Sequence, residues 1–137
     1  MAIKTNFMKY LVIILVSFLI ASTVGVVGVF ILQAVGVIGR AYTDMKNLPF
    51  GIAIGFNLLL ALGTFPAFLN LKARVRNHFL WSALSFFVLP LVIMGYLCLS
   101  LEEESWTGVL FCIPYFVILS ALFLRFRHQK RTFKELI

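Results

Sequence analysis

The side chains that could do chemistry in this sequence are few and widely separated. They are two histidines, five acidic residues and two cysteines in 137 residues. The motifs HExxH, GxxxxGK, GxGxxG and CxxC are all absent from the sequence. Catalysis and metal binding need several such groups to converge. We therefore expect no catalytic residue, no bound metal and no cofactor, and we expect that the protein is not an enzyme.

Cys98 and Cys112 are the one pair of reactive side chains whose spacing suggests a link. Cys98 lies about one helical turn before the end of one apolar segment, and Cys112 lies about one turn after the start of the next. Both ends are expected on the outer side of the membrane. A disulfide between them would close the loop that contains Glu102, Glu103 and Glu104, provided that the two Cα atoms lie within about 7 Å. Two independent buried cysteines are the favoured alternative, because a free cysteine behaves as a small hydrophobic residue.

Four apolar segments must position these residues, and they occupy most of the chain. They are residues 10–32, 50–69, 80–100 and 106–124, and none contains a charged residue. About 20 apolar residues suffice for a helix to cross the hydrocarbon core of a bilayer. Only 12% of the residues are charged, against about 25% in soluble domains. The sequence predicts an all-α polytopic integral membrane protein, a single four-transmembrane-helix bundle over residues 1–137 with a basic tail at 125–137.

The distribution of charge predicts the orientation of this bundle. Ten of the 12 lysines and arginines flank three places: the start of the first segment, the connection between the second and third, and the end of the fourth. By the positive-inside rule both termini are cytoplasmic. The first segment is expected to be a retained signal anchor, because its apolar run to about Gly39 is too long for a cleaved signal peptide. We expect the membrane to be the bacterial inner membrane.

The cations at these places also predict a partner, since a juxtamembrane lysine or arginine is attracted to anionic lipid by roughly 1 kcal/mol. The residues expected to contact anionic headgroups are Lys72, Arg74, Arg76, Arg125, Arg127, Lys130 and Arg131. Nucleic acid is not an expected partner, because no recognition motif accompanies the charge.

Small residues mark possible contact faces on the first two segments. They are Ala21, Gly25 and Gly28 on the first, and Gly51 and Gly55, at GxxxG spacing, on the second. Such spacing lets helix backbones approach closely in lipid. Packing within the bundle is the favoured interpretation for the second segment, and a dimer face is the alternative. Asn57 on the same segment must find a hydrogen-bond partner in the apolar interior, and we favour a bond to another helix over a role in binding substrate.

Local residue types predict three further features. Residues 33–48 are expected to form an ordered outer connection lying on the membrane. Pro66, Pro90 and Pro114 are each expected to remove a backbone hydrogen bond and favour a kink. The stretch NLKARVRNH at residues 70–78 is expected to be a tight basic hairpin, because its cations alternate at a period of two rather than on a helical face.

Two functional hypotheses follow from this pattern. The first is a non-catalytic protein that binds another membrane protein or a membrane-inserting protein, as an accessory or immunity-like subunit. The second is a small homo-oligomeric transporter or channel for a neutral, lipidic or ionic solute, with a path lined by Asn57, hydroxyl groups and freed carbonyls. The absence of charge from all four segments favours the first, because ionisable groups at membrane depth usually mark a transport path. The expected partners are thus membrane lipids and either another membrane protein or a second copy of the chain.

Overall fold

The computed structural model describes residues 2–38, 47–101 and 105–135, with side chains for residues 6–38, 47–101 and 106–129. These residues form helices and no strand. The helices are α1 (Ala2–Ala34), α2 (Leu48–Gly63), a 3-10 helix (Phe65–Leu71), α3 (Ala73–Asn77), α4 (Phe79–Ser100) and α5 (Ser105–Glu135).

Four helical stretches are long and apolar enough to cross a membrane, and each contains one of the predicted segments. They are Asn6–Ala34, Leu48–Leu71, Phe79–Ser100 and Trp106–Gln129. The predicted all-helical architecture, with four helices long and apolar enough to span a membrane, is therefore confirmed over the described residues. Helix α5 continues beyond its apolar part through most of the basic tail, as far as Glu135.

Helix α1 ends in a Schellman motif built around Gly36. The Gly36 amide donates to the Gln33 carbonyl oxygen at 3.1 Å, and the Val37 amide donates to the Leu32 carbonyl oxygen at 3.0 Å. Gly36 has a φ of 78°, which glycine adopts without the steric penalty that a Cβ would bring. The helix thus stops before the predicted end of the apolar run. Of the predicted outer connection, residues 39–46 lie outside the described part of the chain.

The second membrane-spanning stretch changes from α-helix to 3-10 helix next to Pro66. Proline has no amide hydrogen to continue the α-helical pattern, and α2 ends at Gly63. The 16 residues of α2 measure about 24 Å, which is less than the hydrocarbon core of about 30 Å. The 3-10 helix of seven residues adds about 14 Å. Pro90 and Pro114, by contrast, lie inside α4 and α5, which continue past them.

The basic connection between the second and third membrane-spanning stretches is partly helical. The expected hairpin contains the single turn α3, which includes Arg74 and Arg76. Lys72 and His78 flank this turn with extended backbone, at ψ angles of 125° each. The alternation of cations therefore did not exclude a helical turn, because five residues are too few to present a face.

The four long helices run up and down, and α1 and α4 lie on opposite sides of the bundle. Helix α1 contacts α2 and α5, helix α4 contacts the same two, and α2 and α5 also contact each other. The aromatic rings of Tyr10 on α1 and Phe126 on α5 lie 5.2 Å apart. The first and last helices therefore start and finish at the same end of the bundle. Which side of the membrane this end faces stays a prediction.

Candidate functional site

Asn57 is fully buried on the inward face of α2. Its Nδ2 donates to the Ala53 carbonyl oxygen at 2.9 Å, so the amide bonds within its own helix rather than to a hydroxyl group on another. Its Oδ1 accepts no hydrogen bond from the described residues. Asn57 is therefore packed in the interior with one of its two polar atoms hydrogen-bonded.

The contact that covers Asn57 comes from Gly25 on α1. A Cβ atom at Gly25 would lie 3.5 Å from Asn57 Nδ2 and 3.5 Å from the Ala53 Cβ. Ala21, one turn earlier on α1, is also fully buried. The two helices therefore approach through small residues, as in other membrane helix pairs, and the α2 side of the contact is Ala53 with Asn57.

Gly51 and Gly55 lie on the opposite face of α2 and make no comparable contact. A Cβ atom at either position would have no neighbouring heavy atom within 4 Å, and the same holds for Gly28 on α1. The favoured interpretation, packing within the bundle, does not describe these two glycines. Two exposed leucines, Leu58 and Leu62, continue their face at the spacing of i, i+4, i+7 and i+11 that keeps residues on one side of a helix. We call Gly51, Gly55, Leu58 and Leu62 the outer α2 face.

A second buried amide, Asn70, joins three elements at the end of the bundle where α1 begins. Its Nδ2 donates to Ser85 Oγ on α4 at 2.5 Å and to the Ala67 carbonyl oxygen at 3.0 Å. The backbone carbonyl oxygen of Asn70 accepts a hydrogen bond from the Tyr10 hydroxyl group on α1 at 3.3 Å. The sequence did not indicate this role, because Asn70 was expected in a loop. Only the 3-10 helix carries it into the interior.

Both cysteines are free thiols in the structure. Cys112 is fully buried in the main apolar core, and Cys98 is half-buried with its Sγ 3.5 Å from the position of a Cβ at Gly108. The two residues thus lie on neighbouring helices without a bond between them. The three glutamates of the loop that such a bond would close lie outside the described residues.

The cations predicted to contact lipid gather at the end of the bundle where α1 begins and α5 ends. Arg127 Nη1 donates to the Arg76 carbonyl oxygen at 3.4 Å, and its guanidinium carbon lies 5.1 Å from the centre of the Phe79 ring. This contact ties the tail to the basic connection. Lys72, Arg74 and Arg125 are exposed, whereas the side chains of Lys130 and Arg131 lie outside the described residues.

No metal site forms among the residues that the structure describes. No group of three or more histidine, cysteine, aspartate or glutamate side chains lies close enough there to hold an ion. The predicted contact residues do not converge on one pocket either. Instead they divide into an inward set that packs α1 on α2, an outward set on α2, and a basic set at one end.

Over the described residues, these features define an all-helical protein with four helices long and apolar enough to span a membrane and with a packed interior. Comparison of the chain with protein-family models, with curated proteins and with solved structures finds no match. Function must therefore be argued from the surfaces of this bundle.

Proposed function

We propose that this protein acts without catalysis, by binding another membrane protein or a membrane-inserting protein, as an accessory or immunity-like subunit. The observation that carries the proposal is the outer α2 face, where two glycines at GxxxG spacing have open space beside them. This face is available to a helix from outside the bundle.

The physical reason lies in how helices associate in lipid. Lipid tails are as apolar as leucine, so association depends on close packing rather than on a hydrophobic drive. A pair of glycines four residues apart lets a partner backbone approach more closely than larger side chains would. Glycine also weakens a helix by about 0.5–1 kcal/mol relative to alanine. Neither Gly51 nor Gly55 makes a close contact inside the bundle that would offset this cost. This supports a role for the two glycines in contact with another chain.

The position of Asn57 supports binding over transport. The alternative hypothesis places Asn57 on the wall of a solute path in a homo-oligomeric transporter or channel. In the bundle, Asn57 is fully buried, its amide is bonded to Ala53 and it is covered by Gly25. A path along this residue would first require α1 and α2 to separate.

The experiment that tests the proposal compares two sets of glycine substitutions. Gly51→Ile with Gly55→Ile fills the outer α2 face, and Gly95→Ile is the control, since Gly95 is also an exposed helical glycine with open space beside it. Each tagged protein is extracted from its own membranes in a lipid-preserving polymer and weighed by native mass spectrometry. Thermal unfolding of each variant checks that the bundle is intact.

The expected result is that the wild type and Gly95→Ile carry the same second protein at fixed stoichiometry, and that the double variant loses it. Retention of that protein by the double variant would remove the outer α2 face from the proposal. A wild-type chain that leaves the membrane as a monomer, or as a homo-oligomer that moves a solute in liposomes, would contradict the proposed function itself.

A further inference from the structure

A groove runs between α1 and α5 at the end of the bundle where α1 begins, apart from the outer α2 face. Its volume is about 400 Å³, within the range of about 300–1,000 Å³ that is usual for small-molecule sites. The lining residues on α1 have the spacing i, i+1, i+4 and i+5, and those on α5 have the spacing i, i+3, i+4 and i+7. Each helix therefore turns one continuous face toward the groove.

The two cations of the groove lie toward one of its ends, beside Met8, Phe126 and Gln129, and the other end is apolar. In α1, Lys9 precedes Val12 and Ile13 and so lies nearer to the start of the helix. In α5, Arg125 follows Leu122 and so lies nearer to the end of the helix. The two helices are antiparallel, so both cations are displaced toward the same end of the bundle. The apolar part points toward the middle of the membrane-spanning stretches. This gradient of polarity matches that of a phospholipid, with its phosphate at the interface and its chains in the hydrocarbon core.

No acidic residue occurs among the side chains that the structure describes, so none of these lies beside the two cations. The acidic residue nearest to Arg125 in the sequence is Glu135, ten residues further along α5, which corresponds to about 15 Å of helix. Asp44 follows α1 and the three glutamates precede α5, and these are the helix ends remote from the groove. Arginine and lysine both bind phosphate oxygens well, arginine with two parallel hydrogen bonds. The charge that would complement this groove is therefore negative, and an anion of the surrounding bilayer can supply it.

We propose that this groove is a binding site for one anionic phospholipid of the surrounding bilayer. Lys9 and Arg125 hold the phosphate, and an acyl chain lies against Val12, Ile13 and Leu122. Basic pockets between membrane helices are known to bind anionic headgroups, and here the apolar floor adds contacts to the chain itself. Such a lipid would fill the space between the first and last helices and link them.

The test measures lipid binding to the full chain in detergent by native mass spectrometry. Phosphatidylglycerol is titrated against phosphatidylcholine with the same acyl chains. Lys9→Gln with Arg125→Gln removes the phosphate contacts. Lys72→Gln with Arg74→Gln is its control, because it removes the same charge from exposed positions at the same end.

A second pair of variants tests the apolar part without changing charge. Val12→Trp fills the groove, and Val27→Trp places the same bulk at an equally exposed valine of α1, since Val12 and Val27 are 50% and 51% exposed. Thermal unfolding in the absence of added lipid shows whether each variant keeps the bundle.

We expect one phosphatidylglycerol to bind at least tenfold more tightly than phosphatidylcholine. The Lys9 and Arg125 pair and the Val12 variant should each weaken that binding at least tenfold. Val27→Trp should stay within twofold of wild type, and the Lys72 and Arg74 pair should weaken binding clearly less than the Lys9 and Arg125 pair does. Equal weakening by the two charge-removing pairs would show diffuse surface attraction and overturn the site. Unchanged binding in Val12→Trp, or a second copy of the chain in the groove, would overturn it as well.

Discussion

The hydroxyl groups of Thr64 and Tyr115 lie 2.7 Å apart in the interior and join the end of α2 to α5. Thr64 Oγ1 donates its hydrogen to the Leu60 carbonyl oxygen at 2.8 Å, so the hydrogen between the two side chains belongs to Tyr115. Both residues are fully buried. In the hydrogen bond between the two side chains, Tyr115 is therefore the donor and Thr64 the acceptor. Without Tyr115, Thr64 would still donate to Leu60, whereas without Thr64 the Tyr115 hydroxyl group would lose its acceptor.

This asymmetry predicts unequal effects for the two deletions. Tyr115→Phe leaves Thr64 bonded to Leu60 and should lower the free energy of unfolding by about 0.5–1.5 kcal/mol. Thr64→Val leaves a buried Tyr115 hydroxyl group without an acceptor and should cost about 1–3 kcal/mol. Unfolding in mixed micelles by added dodecyl sulfate measures both, together with the double variant.

The double variant should be no less stable than Thr64→Val alone, since it removes the orphaned hydroxyl group. Tyr96→Phe is the control, because Tyr96 is 71% exposed on α4, and it should change little. Additive costs in the double variant would contradict the hydrogen bond as the coupling between α2 and α5.

The contact of Gly63 on α2 with Pro90 and Ile93 on α4 predicts a graded response to added bulk. A Cβ at Gly63 would lie 2.5 Å from Ile93 Cδ1, and 3.5 Å from the Pro90 backbone nitrogen. Gly63→Ala needs only the end of the flexible Ile93 side chain to move, so its effect should stay below about 1 kcal/mol. Gly63→Val adds methyl groups next to the backbone of α4, which cannot move as easily, and should cost about 1–3 kcal/mol.

Gly95 on α4 provides the matched control for these substitutions. It is exposed, and a Cβ there meets no neighbouring heavy atom within 4 Å. Gly95→Val should therefore leave the apparent Tm in detergent close to that of wild type. Equal shifts in Tm for Gly63→Val and Gly95→Val would attribute the effect to helix propensity and not to the contact between α2 and α4.

The free cysteines predict a result in chemical labelling. Protein denatured without reductant should take up two maleimide groups per chain, one at Cys98 and one at Cys112, as read from the mass of the intact protein. Prior reduction should not change this number. A disulfide would give no adduct before reduction and two after it. Cys98→Ala should take up one group under both conditions.

Much of the fold could be predicted from the sequence because the membrane imposes its own length scale. A charge-free run of about 20 apolar residues has few alternatives to a spanning helix, and all four segments were found. The neighbour that each helix face contacts could not be predicted. The GxxxG pattern indicates that one side of α2 admits a close neighbour, but nothing in the spacing of Gly51 and Gly55 says whether that neighbour belongs to the same chain. Packing with α1 instead uses Ala53 and Asn57.

The interior polar contacts were less predictable, because they depend on one local change in helix type. Pro66 was expected to kink the second segment. It lies instead at the second position of the 3-10 helix Phe65–Leu71, which carries Asn70 into contact with Ser85. Both helix types satisfy most of their backbone groups, so composition alone does not choose between them. For this reason the sequence indicated Asn57 as the buried amide and missed Asn70.

The two buried amides now predict opposite outcomes for the same substitution. Asn57→Leu removes an Oδ1 atom that has no hydrogen-bond partner in an apolar setting, where such an atom costs about 1–3 kcal/mol. The variant should be as stable as wild type or more stable. Asn70 Oδ1 also has no hydrogen-bond partner, but Asn70→Leu removes both hydrogen bonds of Nδ2, one of which ties the 3-10 helix to Ser85 on α4. This variant should therefore lower the free energy of unfolding by about 0.5–1.5 kcal/mol.

The same Asn57→Leu variant separates the two functional hypotheses. A protein that binds its partner through the outer α2 face should keep that partner, because Asn57 lies on the opposite face and is covered by Gly25. A transporter whose path includes Asn57 should lose solute flux in liposomes while it stays folded. Stability and partner retention are measured on the same preparation, so that a folding defect is not mistaken for loss of function. Loss of the partner from a variant of wild-type stability would contradict binding through the outer α2 face.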